Sequence, residues 1–210
     1  MTRLPERLKT IITESEFILK EKGSSFISIS KPAENEEEAV SFLNLIRKKY
    51  YDATHHCYAY KFIDGTDKYS DDGEPGGTAG KRILNAVNHF EVSNVITIVI
   101  RYYGGVKLGA GPLGKAYYES AAASLRSAKI EERLLFEKVD IQYNFEDSSL
   151  LHHLISKYSI VIKESLFDPK PIMICLVLSS LIDHFSIELK ELSKDKIRLN
   201  RRKEYTYRKG

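Results

Sequence analysis

Cysteine is scarce in this chain: of 210 residues only Cys57 and Cys175 carry a thiol. Two thiols so far apart, each among apolar or aromatic neighbours, build neither a disulfide framework nor a Cys-x-x-Cys metal knuckle, and such usage fits a reducing cytoplasm. Long apolar runs are missing too. No stretch approaches the ~18 apolar residues of a membrane span, and the opening MTRLPERLKTIITES has no apolar core of an export signal. The expectation is a cytoplasmic protein with no membrane partner. An excess of one charge is also lacking, since 32 basic against 29 acidic residues leave +3. That excludes a histone-like binder working through bulk charge but leaves room for a local basic patch.

What is present suffices for two compact domains, with 42% hydrophobic residues distributed in periodic blocks. Residues 1–135 form the first. Glu16 to Lys20 and Ser25 to Ser30 read as a hairpin across Lys22 and Gly23, the first strand beginning near residue 16. A helix follows, with Glu36, Glu37 and Glu38 in its first turn, Arg47, Lys48 and Lys49 in its last, and Ala39, Phe42, Leu43 and Ile46 on one face. His55 to Ile63 reads as a strand, Asp64 to Thr78 as a long loop, Ala79 to Phe90 as a helix, and Asn94 to Ile100 as a central strand covered on both faces. Pro112 suits the first helical position of an alanine-rich helix reaching Ala128.

The polar run Lys129 to Arg133 marks the boundary, and residues 136–210 form the second domain. There the pattern is strand Lys138 to Phe145, helix Asp147 to Lys157, strands Ile160 to Phe167 and Ile172 to Ser179, helix Leu181 to Leu192 and strand Lys196 to Leu199. That βαββαβ order is the ferredoxin-like sandwich, so the fold class is α+β in two domains. Beyond its last strand the chain becomes basic. Arg201, Arg202 and Lys203 interleave with Tyr205 and Tyr207, a composition that suits an electrostatic arm or a solvated tail.

Nine of the twelve glycines fall between Gly73 and Gly114, in two loops that each lead into a helix. Unhindered amides at helix N-termini attract anions. In the second loop Arg101, Lys107 and Lys115 supply charge, Tyr102 and Tyr103 a stacking face, and Gly104, Gly105, Gly109 and Gly111 open backbone; in the first, Thr78 and Lys81 stand at the helix start. The alternative is that these glycines only permit tight turns and close packing. Gly109, Gly111 and Gly114 do spell G-x-G-x-x-G, but the strand ends well before them and no ribose-binding acid follows. The same stretch misses a P-loop because Ala116 replaces the magnesium-binding hydroxyl.

No cofactor is expected, and no metal. The carboxylates of the first loop, with Asp71, Asp72 and Glu74 the candidates, lack the EF-hand spacing, and the adjacent His55 and His56 point to opposite strand faces. Asp71 and Asp72 suit turns, and Thr78 suits the cap of the next helix. Nucleophile signatures are absent as well: Cys57 reads as a buried small residue, no serine has a G-x-S-x-G elbow, and His152, His153 and His184 stand on helices without partners for a triad.

Three motifs, ATHHCYAY from residue 53, YSDDGEPGGTAG from residue 69 and VIRYYGGVKLGAG followed by KAY up to residue 117, resemble the IMPACT family, and the second domain makes the chain similar to its bacterial YigZ branch. The resemblance implies a first domain of the left-handed βαβ kind found in a small-subunit ribosomal protein and in domain IV of elongation factor G. It implies a second domain like that factor's last. It further implies a role in translation, exercised in eukaryotic relatives through a starvation-response kinase pathway. That kinase role belongs to relatives with an extra N-terminal domain and is not carried over. The chain departs from the family's Gly-Leu-Val-Arg-Ala-Tyr by reading Pro112-Leu113-Gly114-Lys115-Ala116-Tyr117, so any phosphate contact there is a point charge without a guanidinium fork. The expected activity is binding of RNA or the ribosome without chemistry, with no protein partner named. The competing readings are a small-molecule phosphate-binding enzyme, using Asp71, Asp72 or Glu74 for magnesium, and a protein-interaction module.

Overall fold

The computed structural model describes residues 4–167 and 170–209, and the chain divides into one unit of Leu8–Glu132 and another of Pro5–Arg7 with Arg133 onward. The elements of the first are β1 (Arg7–Ile11), β2 (Ser15–Glu21), β3 (Ser24–Pro32), α1 (Glu36–Lys49), β4 (His55–Lys61), β5 (Asp67–Ser70), α2 (Gly80–His89), β6 (Val95–Tyr102) and α3 (Ala110–Ser127). Those of the second are β7 (Ile130–Gln142), a single 3-10 turn Phe145–Asp147, α4 (Ser148–Lys157), β8 (Val161–Leu166), β9 (Ile172–Leu178), α5 (Ile182–Ser193) and β10 (Arg198–Arg208). The α+β class in two units is therefore the observed architecture.

In the first unit a sheet of order β2-β3-β6-β4-β5 lies between helices. β6 pairs antiparallel with both β3 and β4, so β3 and β4 run parallel to each other with β6 between them, bridged by α1. The unbroken apolar run of β6 follows from its having two covered faces. Ile96, Ile98 and Ile100 pack on the cluster containing Phe42, Leu43 and Ile46 of α1, while Val95 and Val99 pack with Ile83, Val87, Leu113 and Leu125 of α2 and α3. The start of α1 is fixed by its sequence: the Asn35 side chain accepts the Glu38 N–H, and the Glu38 carboxylate accepts the Glu34 N–H. Serine rather than bulk faces the sheet from α3. Ser28 donates to the Ser120 carbonyl at 2.7 Å and Ser30 lies 2.8 Å from the Ser124 hydroxyl, so the alanine-rich helix comes close to β3.

The second unit has the order β10-β7-β9-β8, every pair antiparallel. This is the ferredoxin-like βαββαβ arrangement. Its core is Val139, Ile141, Cys175 and Val177 of the sheet against Leu151, Leu154, Phe185 and Leu189 of α4 and α5.

Four expectations need correction. A strand, β1, precedes the expected first one, because alternating Leu8 and Thr10 are buried there. The loop after β4 contains β5, a short edge strand that its polar composition concealed. Residues 130–133, part of the polar run that marks the boundary, are the beginning of a strand, β7. Finally, the basic C-terminus is no free arm: β10 continues to Arg208 and pairs with β7 throughout, interrupted only by a bulge between Arg201 and Glu204.

Candidate functional site

The motif loop between β5 and α2 is tied down by its own acids. Asp71 accepts the backbone N–H groups of Gly77, Ala79 and Gly80 at 2.8–2.9 Å, capping α2 from nine residues upstream of Gly80. A Cβ on Gly80 would stand 2.5 Å from the Ser70 carbonyl oxygen, so only glycine lets the helix start this close to β5. Asp72 accepts the His56 N–H at 2.7 Å and the Arg47 guanidinium at 3.1 Å, while its carbonyl oxygen lies 2.8 Å from Nδ1 of His55. Two sequence expectations fall here, the open helix start and the Thr78 cap. The N-terminus of α2 is not open to an anion, because a carboxylate already occupies it. Thr78 does not cap the helix but donates to the Pro75 carbonyl. Asp71, Asp72 and Glu74 do not converge as metal ligands, and no group of three acidic, histidine or cysteine side chains suited to a metal occurs among the described residues.

Glu74 turns inward to Arg101. Both are nearly buried, at 9% and 5% exposure, and Nη1 of Arg101 donates to Oε1 of Glu74 at 2.6 Å. The same oxygen accepts the Tyr117 hydroxyl at 2.8 Å and lies 3.8 Å from Nε2 of His55. Cys57 completes the cluster, its thiol donating to the Asp71 carbonyl at 3.0 Å and lying 3.4 Å from the Tyr117 hydroxyl. Burial pushes the Cys57 thiol and the Tyr117 phenol up, with the neighbouring Glu74 adding to both, so each stays neutral. A protonated thiol bound to a carbonyl is a packing group. Arg101 was expected as a surface charge; instead its guanidinium lies under the loop, 5.3 Å from the Phe26 ring and 5.4 Å from that of Tyr103. Its Nε has no partner among the described residues.

Above this layer the second glycine-rich loop is exposed. Gly104 rests on Gly23, where a Cβ would come within 1.9 Å of a backbone carbon, and its N–H donates to Ser24 Oγ at 3.2 Å. Gly105 and Gly109 take positive φ. Leu108 is buried and anchors the loop, leaving Tyr103, Val106 and Lys107 facing solvent. The Tyr102 hydroxyl donates to Asp52 at 2.8 Å, which pushes its pKa up to about 12; Tyr103, not Tyr102, is the free ring. At the start of α3, Pro112 has no N–H and Leu113 donates to Gly109, which leaves the Ala110 and Gly111 amides without a bond among the described residues.

The two glycine-rich segments meet. A Cβ at Gly114 would contact Arg82 Nε at 3.1 Å and the Thr78 carbonyl oxygen at 3.6 Å, so Lys115 and Lys81 follow and precede residues already in contact. Lys81, Lys107 and Lys115 are exposed, and none has a carboxylate partner among the described residues. The C-terminal candidates differ. Arg201 binds Glu137 through Nε at 2.7 Å and Asp183 through Nη1 at 2.8 Å, and Arg202 binds Asp140 at 2.8–2.9 Å. Both serve the sheet, Arg201 neutralising a carboxylate with no exposure at all. Lys203, at positive φ in the bulge, alone remains exposed and unpaired of the three.

Sequence reasoning missed the Glu74–Arg101–Tyr117 contact and the remote cap by Asp71. A partial signal existed, since strand pairing sets His55 opposite Arg101, but the reach of a loop carboxylate into that pair has no local periodicity.

The Impact N-terminal domain profile matches residues 22–125, which hold every residue of this cluster. An IMPACT family member of Haemophilus influenzae is 34% identical over 196 residues, covering 89% of this chain and 94% of that protein. IMPACT family member YigZ of Escherichia coli is 29% identical over 182 residues, covering 85% and 89%. Among solved structures, one titled as the crystal structure of an hypothetical protein superposes with a TM-score of 0.67 at 26% identity, covering 93% of this chain and 97% of that one.

Proposed function

The chain belongs to the IMPACT family, and from that premise we propose that it regulates translation in the cytoplasm by binding RNA, on or near the ribosome, through the exposed loop from Tyr103 to Gly111 and the first turns of α3. One observation carries the reading: Lys81, Lys107 and Lys115 stand without carboxylate partners among the described residues, while Asp71, Asp72 and Glu74 in the neighbouring segment are already bound. The surface is left cationic by construction. Lysines and open amides suit phosphate oxygens, and the free Tyr103 ring, backed by the Arg101 guanidinium, suits a base. Arg101 acts from below by holding the loop's base. The enzyme reading loses support, because the carboxylates it needs for magnesium are those that fasten the loop.

The test is RNA binding by wild type and by Lys107→Ala and Lys115→Ala over a salt series. Each variant should weaken binding evenly across sequences and reduce the salt slope by about one counterion. Loss confined to particular sequences, or no loss, overturns the reading. A thermal shift with nucleotide and magnesium but none with RNA would favour the enzyme.

A further inference from the structure

Two phenylalanines of the second unit are left in solvent: Phe145 is 67% exposed and Phe167 61%, although the unit has a closed core elsewhere. Their rings are parallel, 5° apart in plane with centroids 6.5 Å apart. Nothing in the packing of the described residues accounts for two uncovered aromatic faces held together, since burial of either against the core would have been favourable.

They stand at one end of the ferredoxin-like sheet, where β7 and β8 finish and β9 and β10 begin: Gln142 pairs with both Ile172 and Arg198, and Leu166 pairs with Ile172. At this end is a cleft of about 280 Å³ lined by Gln142, Asn144, Lys170, Asp195, Lys196 and Arg198, with Tyr143 at its floor. Asn144 immediately precedes Phe145. Lys170, Lys196 and Arg198 have no carboxylate partner among the described residues, and Asp195, the one carboxylate among the described residues that line the cleft, lies 3.7 Å from Lys190 outside it. Glu146 and Asp147 follow Phe145 in the 3-10 turn that precedes α4. The basic residues of the C-terminus thus divide in two: Arg201 and Arg202 stabilise the sheet, and Lys196 and Arg198 remain available.

We propose that this end of the second unit is a binding site for single-stranded nucleic acid, in which Phe145 and Phe167 stack on unpaired bases and Lys170, Lys196 and Arg198 follow the backbone phosphates. Exposed aromatic faces beside unpaired cations are the combination that single strands require. A duplex hides its base faces, so phenyl rings add nothing to its binding. Gln142 and Asn144 supply amide donors and acceptors at the same cleft, suited to base edges or ribose. The inference rests on the reading above for the class of partner, and adds a second contact surface and the strandedness of the ligand.

The experiment measures fluorescence anisotropy of a labelled single-stranded RNA of about 10 nucleotides, within the site size of such platforms, with the DNA strand of the same sequence and the RNA duplex as competitors. Four proteins are compared: wild type, Phe145→Ala/Phe167→Ala, Lys196→Ala/Arg198→Ala and Lys107→Ala/Lys115→Ala. All altered side chains are exposed or rim the cleft, and circular dichroism confirms the fold. The phenylalanine variant should lose at least about thirtyfold for the single strand at unchanged salt slope, and little for the duplex. The Lys196/Arg198 variant should lose affinity with a slope lower by about 1.4. RNA and DNA strands competing equally assign the site to stacking and phosphates; preference for RNA adds a ribose contact. Wild-type affinity in the phenylalanine variant overturns this proposal while leaving the loop reading intact, and wild-type affinity in the Lys107/Lys115 variant does the reverse. Concentration-dependent self-association abolished by the phenylalanine substitutions would make the face an interface between copies and overturn the proposal too.

Discussion

Arg101 at the end of β6 and Glu74 in the loop before α2 form an ion pair of 2.6 Å that solvent hardly reaches, closed above by Tyr103 and below by Phe26 and Tyr117. Two glycine-rich loops of opposite character are joined by it: one turned inward and satisfied by its own carboxylates, the other facing out and cationic.

A buried pair is costly to break from one side, because the remaining charge stays desolvated. Arg101→Met should therefore lose about 3–5 kcal/mol in urea denaturation, and Glu74→Gln less, since it can still accept from Tyr117. Adding Glu74→Gln to Arg101→Met should recover part of the loss. Strictly additive losses in that double-mutant cycle would mean that the two groups do not interact.

Glycines in the same loop should respond oppositely. Gly104→Ala places a methyl group inside the Gly23 backbone and should destabilise by about 3 kcal/mol, as severe overpacking does. Gly111 has open space around it and lies in the first turn of α3, so Gly111→Ala should be neutral or stabilise by up to about 1 kcal/mol. Thermal melting of the two variants decides the point; equal melting temperatures would contradict the close approach at Gly104.

Alkaline pH should unfold the protein through its buried thiols and phenols. Cys57 is raised above its ordinary 9.0 chiefly by burial, Cys175 likewise to about 12, and Tyr60 and Tyr117 are raised above 10.0. For groups whose folded pKa is raised, the stability is fully present below the unfolded pKa and is lost as pH rises past it, because the unfolded chain then releases protons that the folded chain keeps. Stability should hold to about pH 9 and fall above it, and Cys57→Ser should make the fall shallower. Native protein at pH 8 should react with a thiol reagent only on unfolding. Prompt labelling of Cys57 under native conditions would contradict its burial.

Removing the C-terminal segment should be destructive. Residues from Arg201 on supply most of β10, and Arg201 covers the fully buried Glu137, so Arg201→Ala should cost about 3–5 kcal/mol and deletion of residues 201–210 should abolish cooperative unfolding of the second unit. A truncated protein melting like the full chain would show the strand to be dispensable.

Much of this was legible from local pattern. The charge polarity and apolar face of α1, the double-sided apolar run of β6 and the βαββαβ order each follow from repeats of a few residues, which backbone geometry converts directly into helices and strands. The glycine-rich loops and the motifs that carry the family are likewise written in the chain, along with the lysines that remain exposed. Only the tertiary structure decided which charges are available. Arg101, Arg201 and Arg202 read as surface cations, but strand pairing and loop return bring Glu74, Glu137 and Asp140 to them from 27 to 64 positions away. The exposure of Phe145 and Phe167 was equally hidden, because a phenylalanine at the end of a strand reads as core until the packing of the other elements leaves it out. Charge and hydrophobicity belong to the residue, whereas burial and pairing belong to the fold, and a site is made of the second.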